Sequence, residues 1–196
     1  GNDGHTTMLL GAARYLAETK NFDGTVNFIF QPAEEGGAGA RIMIEEGLFD
    51  RFPCDTVWGI HNAPHMPAGT IGVRPGPLMA GADQAFLTVK GKGAHAARPH
   101  DGIDPIAVGV QLYQGIQTVV SRNVDPLQSA VVTVAQFHAG TANNVIPHTA
   151  ELKLSIRTFD EDVRSLVEQR IRALCEGVGT AFGCEIEVEY RRGYSP

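Results

Sequence analysis

The chain has 196 residues, enough for one or two compact domains whose folding removes roughly 70% of the unfolded surface from water. Hydrophobic residues make up 43% and charged residues 19%, a composition that excludes a disordered chain. Sixteen Lys and Arg against 22 Asp and Glu leave a net charge of -6, so a nucleic-acid or anionic-membrane partner is not expected. Cys54, Cys175 and Cys184 are an odd number without CxxC spacing, which argues against a disulfide framework or a cysteine-rich zinc site. No run approaches 18 apolar residues and no basic-then-apolar leader opens the chain, so the expected location is cytoplasmic.

In chain order, Leu9, Leu10, Ala13, Leu16 and Ala17 recur near helical spacing and predict a helix from Thr7 to Lys20, with Thr6 or Thr7 as N-cap. Thr25 to Gln31 reads as a strand covered on both faces, stopped by Pro32. A glycine-rich stretch, Glu34 to Gly39, leads to a helix over Ala40 to Glu46 with Gly47 as its C-terminal glycine. Thr56 to Ile60 reads as another strand, with His61 at its carboxyl end, where open α/β sheets place their chemistry. Two prolines and two glycines within Val73 to Ala82 mark a domain boundary, placed at residue 78. Beyond it come strands at Gln84 to Lys90, Ser129 to Phe137, Ala150 to Thr158 and Cys184 to Tyr190. Helices are placed at Pro105 to Ser121 and at Val163 to Gly177, the latter capped by Asp160 or Asp162. This β-α-β-β-α-β order is that of a ferredoxin-like α+β domain, a four-stranded antiparallel sheet with two helices on one face.

Two groups of residues could carry chemistry. Asn2-Asp3-Gly4-His5, the pair Glu34-Glu35, and His61 offer carboxylate and imidazole donors suited to a zinc-like ion, and adjacent carboxylates can divide metal binding from proton handling. The plainer alternative is that Glu34-Glu35 opens a helix and interacts with its dipole. In the second domain, His95 and Arg98 could present donors to a substrate oxygen or carboxylate, or simply belong to a surface loop. Asn143-Asn144 is either a substrate donor or a connection between strands; His138 and His148 read as loop residues.

The segments DGHTTMLLGAA, FQPAEEGGAGARIMIEEGLF, GIHNAPHMPAGTIG, KGKGAHAARPHDGIDPI and NNVIPHTAEL resemble, in order and spacing, one branch of the aminoacylase and carboxypeptidase-like metallopeptidases. That branch is the metal-dependent amidohydrolases, among them hippurate hydrolases and auxin-conjugate hydrolases. The resemblance covers essentially the whole chain. It implies a partial zinc-peptidase-type α/β catalytic domain over residues 1-78, a ferredoxin-like lid and dimerisation domain over 79-192, and the start of a return to the catalytic domain at 193-196. It also implies Glu34 as the base that activates metal-bound water, Glu35 and His61 as metal ligands, His95 as a lid histidine that polarises the scissile carbonyl, and substrate contacts from Asn144 and Arg98. The implied cofactor is a divalent metal, zinc or manganese first. The implied partners are an N-acyl amino acid substrate and a second copy of the chain bound through the lid.

Family members read CGHDGH where this chain begins GNDGH, so Asn2 stands at a histidine-ligand position and the cysteine ligand would precede Gly1. The family also closes its catalytic domain with a segment after the lid. The chain therefore reads as an internal fragment, inactive alone, of a hydrolase that cleaves the amide of N-acyl amino acids. The alternatives are a dipeptidase, a carbamoyl-amide hydrolase, or a non-catalytic dimerisation module.

Overall fold

A computed structural model describes residues 2-195, with Asn2 described through its main chain alone. The chain separates into two compact units, residues 1-72 and 73-196.

In unit 1, helix α1 (Asn2–Thr19) starts at Asn2 and not at Thr7. Thr7 lies inside the helix, where its Oγ1 donates to the Asp3 carbonyl at 2.8 Å; a hydroxyl satisfied by the preceding turn has no capping role. Helix α2 (Gly39–Glu45) ends as the sequence suggests: Gly47 adopts φ 86° and its N–H donates to the Ile44 carbonyl at 2.9 Å. A single turn, α3 (Leu48–Arg51), follows. The two strands expected in this unit, Thr25 to Gln31 and Thr56 to Ile60, carry no strand assignment among the described residues. A strand exists through its ladder, and neither run has a neighbour to pair with. Their side chains show the same lack of cover: Phe30 is 48% exposed, Ile60 60% and Trp58 89%.

Unit 2 runs β1 (Gly81–Lys90), β2 (Ala94–His95), α4 (Pro105–Asn123), β3 (Ala130–Ala139), β4 (Val145–Ile146), β5 (Thr149–Thr158), α5 (Glu161–Phe182) and β6 (Glu185–Arg192). Four strands form an antiparallel sheet in the order β3-β5-β1-β6, and β2 pairs with β4 in a separate two-stranded ribbon. Both long helices begin on aspartates. Asp104 accepts the Ile106 and Ala107 N–H groups, and Asp160, not Asp162, accepts those of Asp162 and Val163. Gly183, at φ 66°, closes α5 and turns the chain into β6.

The core follows from two periodicities. Alternate residues Ala85, Leu87 and Val89 of β1 and Leu152, Leu154 and Ile156 of β5 face one side of the sheet. Val108, Leu112, Ile116 and Val119 on α4, and Val163, Val167, Ile171 and Cys175 on α5, cover it at three- and four-residue spacing. Each large aliphatic side chain so buried contributes about 1.5–3 kcal/mol of transfer free energy. Gly109 lets α4 close on the sheet: a Cβ there would lie 2.6 Å from Phe137 Cζ. The opposite face is polar, with Lys90 paired to Glu185 and Glu187 and the Arg191 guanidinium 4.5 Å from the Phe86 ring centroid.

One charged pair lies inside. The Arg164 Nε and Nη2 donate to the two Asp83 carboxylate oxygens at 2.9 and 2.6 Å, with side-chain exposures of 4% and 1%. Tyr190 Oη and the Gly193 N–H also donate to Asp83, while Arg164 donates to Glu161, Ser195 Oγ and the Gly193 carbonyl. Burial alone would raise the Asp83 carboxyl. Its hydrogen bonds from Arg164 and Gly193, with the Arg164 charge, outweigh that and hold it below the ordinary carboxylate range. The network ties Gly193 to Ser195 to the start of β1, where the Ala82 N–H also donates to the Tyr194 carbonyl.

Candidate functional site

Glu34 and Glu35 sit on a tight turn. The Gly36 N–H donates to the Glu34 carbonyl at 2.7 Å and the Gly37 N–H to the Ala33 carbonyl at 3.0 Å. Ala33 and Ala38 take φ values of 53° and 52°, a left-handed conformation that costs a non-glycine residue roughly 1–2 kcal/mol. The glycines are there for close approach: a Cβ on Gly37 would lie 2.6 Å from that of Ala33, and one on Gly39 would collide with the Pro32 carbonyl. The two left-handed residues thus bracket two exposed carboxylates. The pair precedes α2 by several residues and does not start a helix.

His61, also exposed, lies beside His5 of α1, with ring centroids 4.7 Å apart. Its Nδ1 is 2.8 Å from the Asn62 carbonyl, which can only accept, so Nδ1 carries a proton, and in the neutral ring this tautomer leaves the Nε2 lone pair that a metal ligand needs. The Asn62 N–H donates to His5 Nε2 at 3.1 Å and fastens this segment to the helix. The sequence singles out His5 as part of a donor-rich segment but gives no sign of its contact with His61, because fifty-six positions separate them and no local pattern spans that distance.

In unit 2, the β2–β4 ribbon brings together two segments the sequence could only name apart. His95 faces Val145 across the ribbon, and the Ala96 N–H donates to the Asn144 carbonyl at 3.0 Å. The Ala97 N–H donates to His95 Nδ1 at 3.1 Å, leaving the ring proton on Nε2, where the exposed imidazole can donate to an oxygen. Asn144 is exposed. The Arg98 Nε donates to Asp101 Oδ2 at 2.6 Å in an exposed i,i+3 pair, so part of its guanidinium is directed into its own turn. An open cavity of about 480 Å3 adjoins the ribbon, lined by His138, Thr141, Val145, His148 and Glu151 among others. Two-residue strands are too short to show a period, so the ribbon was not legible in advance.

The whole of residues 1-196 matches the peptidase family M20/M25/M40. The chain belongs to this family. It is 47% identical to the N-acetyl-L-cysteine deacetylase of Bacillus subtilis (strain 168), covering 100% of this chain and 47% of that protein. It is 45% identical to the hippurate hydrolase of Campylobacter jejuni, covering 96% of this chain and 49% of that one. Among solved structures, the YXEP protein of Bacillus subtilis, a dinuclear metal-binding peptidase of the M20 family, superposes with a TM-score of 0.69 at 37% identity, over 98% of this chain and 48% of that one. The chain thus spans about half the length of the relatives it matches. Its α/β character and its membership of a metallo-amidohydrolase and peptidase family are established by these likenesses.

Does this M20 chain hold a metal by itself? Among the described residues no three His, Cys, Asp or Glu side chains converge as a metal-holding group. Glu35 and His61 supply one oxygen and one nitrogen donor, both exposed. The side chain of Asn2 lies outside the described residues; chemically, a neutral amide is a weaker zinc donor than an imidazole. The donors described here do not by themselves fit a metal centre. No helix among the described residues is long and apolar enough to cross a membrane.

Proposed function

We propose that this M20 chain forms part of an enzyme that hydrolyses the amide bond of N-acyl amino acids. The observation that carries the reading is that two relatives matched along nearly the whole chain, at 47% and 45% identity, are named for cleaving such an amide: an N-acetyl-L-cysteine deacetylase and a hippurate hydrolase. Residues 1-78 supply part of the catalytic domain, 79-192 a ferredoxin-like lid through which two copies pair, and 193-196 the start of the return. Glu34 takes a proton from the water that attacks the carbonyl carbon and delivers it to the nitrogen as the C–N bond breaks, and His95 donates through Nε2 to the carbonyl oxygen as it gains charge. Asn144 and Arg98 contact the substrate. Glu35 and His61 are this chain's share of the ligands for a divalent metal, zinc or manganese, with the remaining donors drawn from the longer protein. Its three cysteines are unpaired, which suits a reducing, cytoplasmic setting.

The chain spans about half the length of the relatives it matches, and we infer that the 196-residue chain alone does not turn over substrate. The unpaired apolar runs at 25-31 and 56-60 support this, since both expose side chains a catalytic core would cover. The test compares hydrolysis of hippurate and N-acetyl amino acids by this chain and by the protein extended to its relatives' length. Activity is expected only from the longer protein. A dipeptide or carbamoyl amide turned over in preference would move the assignment to those substrates, and inactivity of both chains would leave a dimer-forming module.

A further inference from the structure

We propose that His148 is a positioning residue that sets the register of the segment carrying His95; its link to catalysis rests on the role for His95 proposed above. The main sheet and the β2–β4 ribbon are not in one register. Lys90 faces Thr149, but Ala94 faces Ile146, so four steps along one strand are matched by three along the other. The extra residue falls at Gly91 to Gly93. A one-residue slip reverses which side of a ribbon each following side chain takes, so this bulge decides on which face His95 emerges.

Such a bulge strands a main-chain donor, and here one residue deals with it. The Gly91 N–H donates to the His148 carbonyl at 2.8 Å, continuing the ladder. The next N–H on the same side, that of Gly93, donates at 3.3 Å to the His148 ring Nδ1. The imidazole stands in for the carbonyl an unbroken ladder would have offered. It also fits by shape: a Cβ on Gly93 would lie 2.9 Å from the His148 ring, so the absence of a side chain at 93 and the ring at 148 go together. Beyond the bulge the segment is held by the Lys92–Ile103 bridge and by the Ala96 N–H bond to Asn144. Neither of these supplies an acceptor to Gly93.

The test uses His148→Ala and His148→Asn, the second keeping an acceptor oxygen near the position of Nδ1. In the 196-residue chain, amide exchange at Gly93 in His148→Ala is expected to quicken about five- to tenfold, with Val89 and Leu152 unchanged, and His148→Asn to restore most of the protection. An unchanged Gly93 in His148→Ala, or equal loosening of the whole sheet, overturns the proposal. In the protein extended to its relatives' length, His148→Ala is expected to lower kcat about tenfold with KM within about twofold, and His148→Asn to recover it. An unchanged kcat with Gly93 released removes the positioning role. No turnover by the unmodified longer protein refutes the functional reading, while the exchange arm still decides whether His148 holds the bulge.

Discussion

Replacing Asp83 by Ala is the perturbation whose cost the fold determines most fully. The carboxylate accepts four hydrogen bonds, two from Arg164 and one each from Tyr190 and Gly193, at distances of 2.6 to 3.1 Å. Its removal leaves the guanidinium, 4% exposed, with Glu161 as its remaining carboxylate, and strips the Gly193 N–H of its acceptor. Breaking a buried pair from one side costs about 3–5 kcal/mol, because a desolvated charge is left behind. With a urea slope of about 2 kcal/mol per M, the unfolding midpoint of unit 2 should fall by about 1.5–2.5 M. Arg164→Met should cost a similar amount, and the Asp83→Ala/Arg164→Met double variant clearly less than the sum. Circular dichroism follows the transition, and amide exchange at Leu87 and Ile156 assigns it to this unit. Additive costs, or single variants within about 1 kcal/mol of the parent, would refute the reasoning, since both would mean that water already reaches the pair.

The Asp83 carboxyl is held below its ordinary value of 3.8, so its stabilising contribution is complete above that pH and is lost as the pH falls from there through the lower native value; acid titration of unit 2 with Asp83→Asn alongside should show the parent losing stability below about pH 4 and the variant losing less. Gly109→Ala forces a methyl toward Phe137 Cζ and should cost about 1–3 kcal/mol in the same urea assay, whereas Gly177→Ala, with no atom near its Cβ, should be neutral or slightly stabilising. Cys175, its thiol pushed up to about 12 by burial, should resist alkylation at neutral pH while exposed Cys54 reacts, as mass mapping of the labelled native chain will show.

Much of unit 2 could be read in advance because its signals are local. The alternation in Glu185 to Tyr190, the helical spacing of Val163, Val167 and Ile171, and the aspartates ahead of the second helix each act within a few residues. One helix runs past its expected end: α5 reaches Phe182, where Gly183 supplies the left-handed stop. Unit 1 was harder. Val26, Phe28 and Phe30 have the composition of a strand, yet pairing is decided by a neighbour the local sequence does not specify. At the candidate site, residue types were visible and relationships were not. The sequence offered His95 and Asn144, but only the ribbon shows that their segments touch, and His148 read as a loop residue because its partner is a main-chain N–H with no side chain to mark it.

In the function proposed above, Glu34 is the proton carrier of an amidohydrolase. The direct measurement is the rate of N-acetyl amino acid hydrolysis by the protein extended to its relatives' length, with and without Glu34→Gln, alongside its metal content. The expected result is a drop of about 10²–10⁴-fold in kcat with metal content unchanged. Full activity in Glu34→Gln would contradict it.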